Sequence, residues 1–127
     1  MNNKLEFAVK MQGRTQAFAV QIVKFFSKLP KTEEGRILGR QLLRSATSVA
    51  ANYRAVCRAK SDADFISKLG TVVEEADESL FWLELIESAG LCSTAQLGPP
   101  QKGSRRIASH FSNIAQHRQT QRKPIIH

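Results

Sequence analysis

The sequence predicts an all-α protein with the architecture of an antiparallel up-and-down four-helix bundle. Three observations support this fold class. Apolar residues recur three or four positions apart in four successive segments, which is the spacing of amphipathic helices. The chain shows no sustained alternation of apolar and polar residues, and it holds only seven glycines and four prolines. The connections between the segments are short, and short connections favour antiparallel neighbours.

The chain is long enough, at 127 residues, to bury one hydrophobic core. We therefore expect one bundle domain over residues 1–118 and a basic, disordered tail over residues 119–127. The expected helices span about residues 5–29, 33–60, 63–89 and 104–118.

Capping and breaking residues mark the boundary between the first two helices. Pro30 ends the first helix, because proline disfavours helical geometry in the residue before it. Thr32 begins the second helix, because its hydroxyl can cap free backbone N–H groups. The carboxylates of Glu33 and Glu34 then lie near the positive end of the helix dipole.

The third and fourth helices are delimited by similar signals. Ser61, followed by Asp64, matches a capping box, which marks either a new helix or a kink within one long helix. Gly90 stands where a glycine commonly ends a helix. The Gly-Pro-Pro segment at 98–100 should break any helix that runs through it, so we expect the fourth helix to begin only at Ser104.

Charge is distributed unevenly along the chain, whose net charge is +8. Residues 1–61 hold twelve Lys and Arg against three Asp and Glu, a net charge of +9. Residues 62–100 hold one lysine against eight acids, a net charge of −7, and residues 101–127 hold six basic residues and no acid. This order predicts ion pairs between segments and a surplus of positive charge for an external partner.

Five arginines of the second predicted helix share one face and form the arginine stripe. They are Arg36, Arg40, Arg44, Arg54 and Arg58. At 100° per residue they fall within an arc of about 80°, opposite the apolar face. Two interpretations stay open for this stripe, since a guanidinium suits both phosphates and the carboxylates of the third helix. We expect structural ion pairs to involve Arg44, Arg54, Glu74 and Glu78.

The remaining arginines and the C-terminal cations are expected to contact nucleic acid. Because most aromatic residues lie on core stripes, contact with the RNA or DNA backbone is more plausible than base stacking. The predicted nucleic-acid-binding residues are Arg36, Arg40, Arg58, Lys102, Arg105, Arg106, Arg118, Arg122 and Lys123.

A second apolar face on the third helix is formed by Phe81, Trp82 and Leu85, which point away from its main apolar stripe. Such a face predicts a subunit interface, and the alternative is that the fourth helix covers it. We leave both interpretations open at this point.

The sequence holds no catalytic motif of the kinds that mark hydrolases, nucleotide-binding enzymes or zinc proteases. No acid follows Glu87 to complete a metal site with His110 and His117. We therefore expect no enzyme, no metal and no cofactor. No apolar stretch is long enough to span a membrane, and charges interrupt the N-terminal segment, so we expect no signal peptide and a cytoplasmic location.

From about Gln12 to Leu91 the sequence resembles the proteins encoded within bacterial 23S rRNA intervening sequences. The C-terminal third departs from that family's pattern of a regular helix with acidic residues. The residues that carry the resemblance are Arg44, Ser48, Ala51, Asn52, Arg54, Phe65, Leu69, Glu74, Glu75, Glu78 and Leu83.

The resemblance implies a four-helix bundle that assembles into a ring-like homopentamer and carries no catalytic motif. A distant relative is the accessory protein of diversity-generating retroelements, which binds a reverse transcriptase and nucleic acid through a basic surface. Two functions are therefore expected to compete. The first is an oligomer that binds structured, rRNA-like nucleic acid, and the second is an interaction module that docks a partner protein such as a reverse transcriptase.

Overall fold

The structure, a computed structural model, describes residues 3–121, and it describes the side chains of residues 5–117. Every regular element in this part of the chain is a helix, which confirms the predicted fold class. The four helices are α1 Asn3–Ser27, α2 Glu33–Val56, α3 Asp62–Ser88 and α4 Thr94–Gln121. Each helix packs on the next one in the chain, and α1 packs on α4 to close the bundle. Of the predicted tail, residues 119–121 continue α4, and residues 122–127 lie outside the described residues.

The capping residues act as predicted at the starts of α2 and α3. The Gly35 N–H donates to the Thr32 hydroxyl over 3.2 Å, and the Asp64 N–H donates to the Ser61 hydroxyl over 3.0 Å. Because α2 ends at Val56, before that second cap, α3 is a new helix and not the continuation of a kinked one.

The C-terminus of α3 is closed by a Schellman motif. Gly90 has a positive φ of 74°, a conformation that a residue without a Cβ adopts readily. Its N–H donates to the Glu87 carbonyl over 2.9 Å, and the Leu91 N–H donates to the Ile86 carbonyl over 3.1 Å. The predicted end of the third helix at a glycine is thus explained by two hydrogen bonds.

The prediction that α4 begins at Ser104 is wrong, because the helix begins at Thr94 and contains Pro99 and Pro100. Its start is a capping box in which the Gln96 N–H donates to the Ser93 hydroxyl over 3.2 Å, while the Gln96 side chain accepts from the Ser93 N–H over 2.9 Å.

The two prolines of α4 leave two backbone carbonyls without their helical donors, and both carbonyls are open to solvent. A helical N–H at these positions would donate to the carbonyls of residues 95 and 96, and both of those residues are exposed, so water can reach the carbonyls. Leu97 and Pro100 are buried in return.

Small residues allow α2 and α3 to approach closely. Ser45 and Ser79 are both fully buried, and their hydroxyl oxygens lie 2.9 Å apart, within hydrogen-bond distance. The Ser104 hydroxyl on α4 donates to the Ala76 carbonyl over 2.9 Å, which joins α4 to α3 in the same way. These bonds satisfy buried polar groups that would otherwise destabilise the fold.

The α1–α2 contact depends on Gly39, which is buried. A Cβ at this position would lie 2.7 Å from the Cδ1 atom of Phe26, closer than carbon atoms approach in folded proteins. The missing side chain therefore lets the end of α1 pack directly on the backbone of α2.

Candidate nucleic-acid interface

The fold brings the two basic ends of the sequence together. Within their helical bounds, α1 and α4 hold eight Lys and Arg side chains against one acid, Glu6, a net charge of +7. In contrast, α2 and α3 hold five basic against ten acidic side chains, a net charge of −5. Since α1 and α4 are neighbours, the bundle has one basic half and one acidic half.

An open groove of about 490 Å³ runs between α1 and α4. Three arginines line it, Arg14 from α1 and Arg105 and Arg106 from α4. A second groove of about 290 Å³ also has Arg14 and Arg106 in its lining. No Asp or Glu is among the residues that line either groove. Two of these guanidinium groups, those of Arg14 and Arg106, line the cleft from different helices and form no ion pair within the described residues.

His110 forms part of the wall at one end of this cleft. Its ring lies 5.6 Å from the Phe7 ring and 5.7 Å from the Phe111 ring, measured between centroids. Its Nε2 atom is buried and has no hydrogen-bond partner within the described part of the chain. The His110 ring therefore packs against two aromatic side chains.

The α2 stripe is exposed to solvent along its length. The Arg44 guanidinium pairs with the carboxylates of Glu75, at 3.6 Å, and Glu78. No ion pair in the described residues involves Arg54 or Glu74, although we expected both in structural pairs. The structure thus brings one of the two expected arginines to the acids of α3, and it adds Glu75 as a partner.

The other predicted phosphate contacts differ in their surroundings. Arg36, Arg40 and Arg58 are exposed, and no carboxylate pairs with them in residues 5–117. On α4, Lys102 and Arg106 are exposed as well, whereas the Arg105 guanidinium lies 3.7 Å from the Glu84 carboxylate. The side chain of Arg118, together with Arg122 and Lys123, lies outside the described residues.

The apolar face of α3 is left partly open. Phe81 is 53% exposed and Leu85 36% exposed, so α4 does not cover them. Trp82 is half-buried, and its indole N–H donates to the Glu78 carboxylate over 3.3 Å. The Phe81 and Trp82 rings meet edge to face with centroids 4.9 Å apart. These three side chains form a patch beside the paired acids of α3.

A separate, mainly apolar cavity of about 680 Å³ lies at one end of the bundle, between the first turns of α1 and α3 and the ends of α2 and α4. Phe7, Tyr53 and Phe65 are among its lining residues. Burial, with a smaller effect from Cys57, raises the pKa of the Tyr53 phenol further above physiological pH, where an ordinary tyrosine is already neutral. The cavity wall therefore carries no phenolate charge.

Neither a metal centre nor a membrane-spanning helix is found in residues 3–121. Among the described residues, no group of three or more His, Cys, Asp and Glu side chains is placed to hold a metal ion. Nor is any helix in residues 3–121 long and apolar enough to cross a membrane.

Arg14 is the residue of this surface that sequence reasoning missed. Its signal is periodic: Lys10, Arg14, Lys24 and Lys28 lie within an arc of about 80° on α1 at 100° per residue. The same helical projection that revealed the arginines of α2 would have found this second basic face. What no projection of a single helix shows is that this face borders α4.

Comparisons with known proteins agree with the architecture. The family model of the 23S rRNA-intervening sequence protein matches residues 8–113. A solved structure, described as a protein with unknown function from the S23 ribosomal protein family of Bacteroides thetaiotaomicron, is 33% identical in sequence and superposes with a TM-score of 0.76. That match covers 82% of this chain and 96% of the other. No protein with a curated description matches the chain. Because the family model covers most of the sequence and the fold agrees, the chain belongs to the 23S rRNA-intervening sequence protein family.

Proposed function

We propose that this protein is a non-enzymatic, oligomeric helical bundle that binds structured, rRNA-like nucleic acid through its basic surface. The observation that carries the proposal is the separation of charge, with a net charge of +7 on α1 and α4 and −5 on α2 and α3. Basic side chains that neutralise phosphates release condensed counterions, and this release drives binding without base contacts. The family name, which refers to rRNA intervening sequences, supports RNA as the first ligand to test.

The proposed contacts are cations of α2 with its C-terminal turn, cations of α4, and cations of the segment that follows α4 in the sequence. Those of α4 lie beside α1, and those of α2 and its C-terminal turn belong to the arginine stripe. The proposed residues are Arg36, Arg40, Arg58, Lys102, Arg105, Arg106, Arg118, Arg122 and Lys123.

Self-association is the second part of the proposal. Phe81, Trp82 and Leu85 form an apolar patch on α3, and a patch of this kind is stabilised when a second copy excludes water from it. The family resemblance favours a homopentamer. A Phe81→Ser, Leu85→Ser variant should then lower the mass measured by light scattering to that of a monomer. An unchanged mass would remove this patch from the interface.

The binding test is a titration of the purified protein against a labelled rRNA hairpin and a DNA duplex of the same length. We expect a dissociation constant below about 1 μM at about 50 mM salt, rising steeply towards about 300 mM, since each phosphate contact adds about 0.7–0.9 to the salt slope. A higher affinity for the hairpin would indicate that RNA shape is read. No binding at the lowest salt would contradict the proposal.

The competing function is a protein-interaction module, and the exposed Phe81 favours it. Under that function a partner protein, such as a reverse transcriptase, occupies the α3 patch. A partner that is captured by the wild type, survives nuclease treatment and is lost with Phe81→Ser would support this alternative. Failure of the hairpin titration together with such a partner would replace the nucleic-acid proposal.

A further inference from the structure

From the contacts on the α1–α4 side of the bundle we infer that the groove between these helices is a discrete phosphate-binding site for a nucleic-acid backbone, with Arg14 and Arg106 as its principal ligands. The inference rests on the proposed nucleic-acid function and assigns it to one place on the surface. It also adds Arg14, a residue of the first helix, to the set of binding residues.

The charges that line the groove favour an anionic ligand. Arg14 and Arg106 line both connected parts of the cleft from opposite helices, and no carboxylate is among the lining residues. Neither guanidinium takes part in an ion pair within the described residues, whereas Arg105 has Glu84 at 3.7 Å. Like charges that face each other repel, and a cleft lined by one sign of charge concentrates counter-ions. An anion between the two side chains turns this repulsion into attraction.

Neutral hydrogen-bond donors line the groove beside the arginines. Ser109 and Asn113 lie on α4 within two turns of Arg106 and line the same groove. A hydroxyl and an amide donate hydrogen bonds to phosphate oxygens, and a guanidinium donates two in a planar fork. The wall therefore combines charged and neutral donors, as nucleic-acid backbone sites do.

The shape of the site also favours a polymer, because the groove is open and elongated and is not a closed pocket. Its lining runs from residue 103 to residue 113 along α4, a length of about 15 Å at 1.5 Å per residue. One strand of a duplex rises by this length over roughly four nucleotides. A polymer can therefore enter and leave along the groove, and a chain of phosphates fits it better than a single small anion does.

The test compares two variants that lose the same charge. The site variant is Arg14→Gln, Arg106→Gln. The control variant is Lys31→Gln, Arg54→Gln, which removes two exposed cations that line no groove between α1 and α4 and that are not among the proposed contacts. Both are titrated against the labelled rRNA hairpin at several salt concentrations. Thermal unfolding by circular dichroism checks that both retain the fold.

We expect the site variant to lose affinity by at least about tenfold at about 100 mM salt and to lower the salt slope by about 1.5, as the loss of two phosphate contacts predicts. The control should change affinity by less than about twofold. An Arg14→Lys, Arg106→Lys variant keeps the charge but loses the planar forks, so it should fall between the wild type and the glutamine variant.

The possible failures are distinct. If the wild type does not bind the hairpin at all, the nucleic-acid function is wrong, and the groove assignment fails with it. If the wild type binds and the site and control variants weaken binding equally, the function stands, but the groove is not a discrete site. If the site variant alone unfolds, the Arg14→Lys, Arg106→Lys variant tests the inference instead. Full wild-type affinity in that variant would overturn the role of the two guanidinium groups.

Discussion

The α2–α3 seam and the α1–α4 seam are both interfaces between neighbouring helices, but they differ in packing and in charge. Across the first, Ser45 and Ser79 meet in a close-packed interior, and Arg44 pairs with two acids of α3 at the rim. Across the second, the helices pack less closely, a groove remains open, and Arg14 faces Arg106 with no acid in the lining. The difference teaches that an arginine is neutralised where the neighbouring helix places a carboxylate within reach, as α3 does for Arg44, and stays open to a partner where no carboxylate is that close.

The largest expected effect compares matched truncations in a closed and an open part of the core. Ile86 on α3 is fully buried, whereas Ile107 borders the α1–α4 grooves. We expect Ile86→Ala to lower the free energy of unfolding by about 4 kcal/mol and Ile107→Ala by about 2 kcal/mol, because the open seam can relax around the lost atoms. Urea denaturation measures both. Equal losses would show that the two parts of the core are packed equally well.

An acid introduced into the α1–α4 seam should neutralise its arginines, as the acids of α3 neutralise Arg44 in the α2–α3 seam. Asn113→Glu places a carboxylate in the groove that Arg14 and Arg106 line. We expect hairpin affinity to fall by about tenfold, which corresponds to roughly 1.4 kcal/mol, since the acid neutralises the arginines and repels phosphate. The free energy of unfolding should stay the same or rise. Asn113→Gln is the control, and equal affinities for the two variants would contradict the prediction.

The converse change removes acids from the other seam. A Glu75→Gln, Glu78→Gln variant breaks both ion pairs of Arg44, and we expect a loss of up to about 1 kcal/mol in the free energy of unfolding, because the Arg44 side chain is 52% exposed and solvent screens its attraction to both acids. Hairpin affinity should not fall, since Arg44 is released to solvent. A clear decrease in affinity, measured in the same titration, would show that these acids take part in binding.

The smallest effect concerns pH at the junction of α2 and α3. A hydrogen bond from Lys68, with a further one from the Lys60 N–H, lowers the pKa of the Asp64 carboxyl. A lowered folded-state pKa stabilises the fold above the ordinary aspartate value, and this stabilisation is lost as the pH falls through the folded-state pKa. Asp64→Asn should therefore be less stable than the wild type at neutral pH and equal to it in strong acid. Thermal melts at several pH values measure the difference, and a constant difference would exclude the carboxylate as its source.

The helix boundaries show how far local sequence signals reach. Thr32, Ser61 and Gly90 act through hydrogen bonds within a few residues, so each was predictable from the sequence. The start of α4 was missed although Ser93 and Gln96 form a capping box, because the two prolines after it indicate a break. Only tertiary packing, through buried Leu97 among others, makes a helix through those prolines favourable.

The candidate site was predictable only in part, for a different reason. A projection of one helix showed that the α2 arginines share an exposed face, and the structure agrees. Whether an arginine meets an acid depends on the rotation and register of the neighbouring helix, which is why Arg44 is paired and Arg54 is not. Likewise, Arg14 and Arg106 line one groove because α1 packs on α4. That contact depends on the whole fold and could not be read from either helix alone.

The missing side chain at Gly39 has a consequence for how the family can diverge. A methyl group there would lie 2.7 Å from the Phe26 ring and 3.0 Å from the Leu29 side chain, so position 39 cannot gain a side chain unless these neighbours shift or become smaller. A relative with alanine or serine in place of Gly39 needs a smaller residue in place of Phe26. Side chains larger than glycine at position 39 should therefore occur in the family chiefly with a smaller residue at position 26. A library that randomises position 39 should recover folded variants other than glycine chiefly when position 26 is randomised as well.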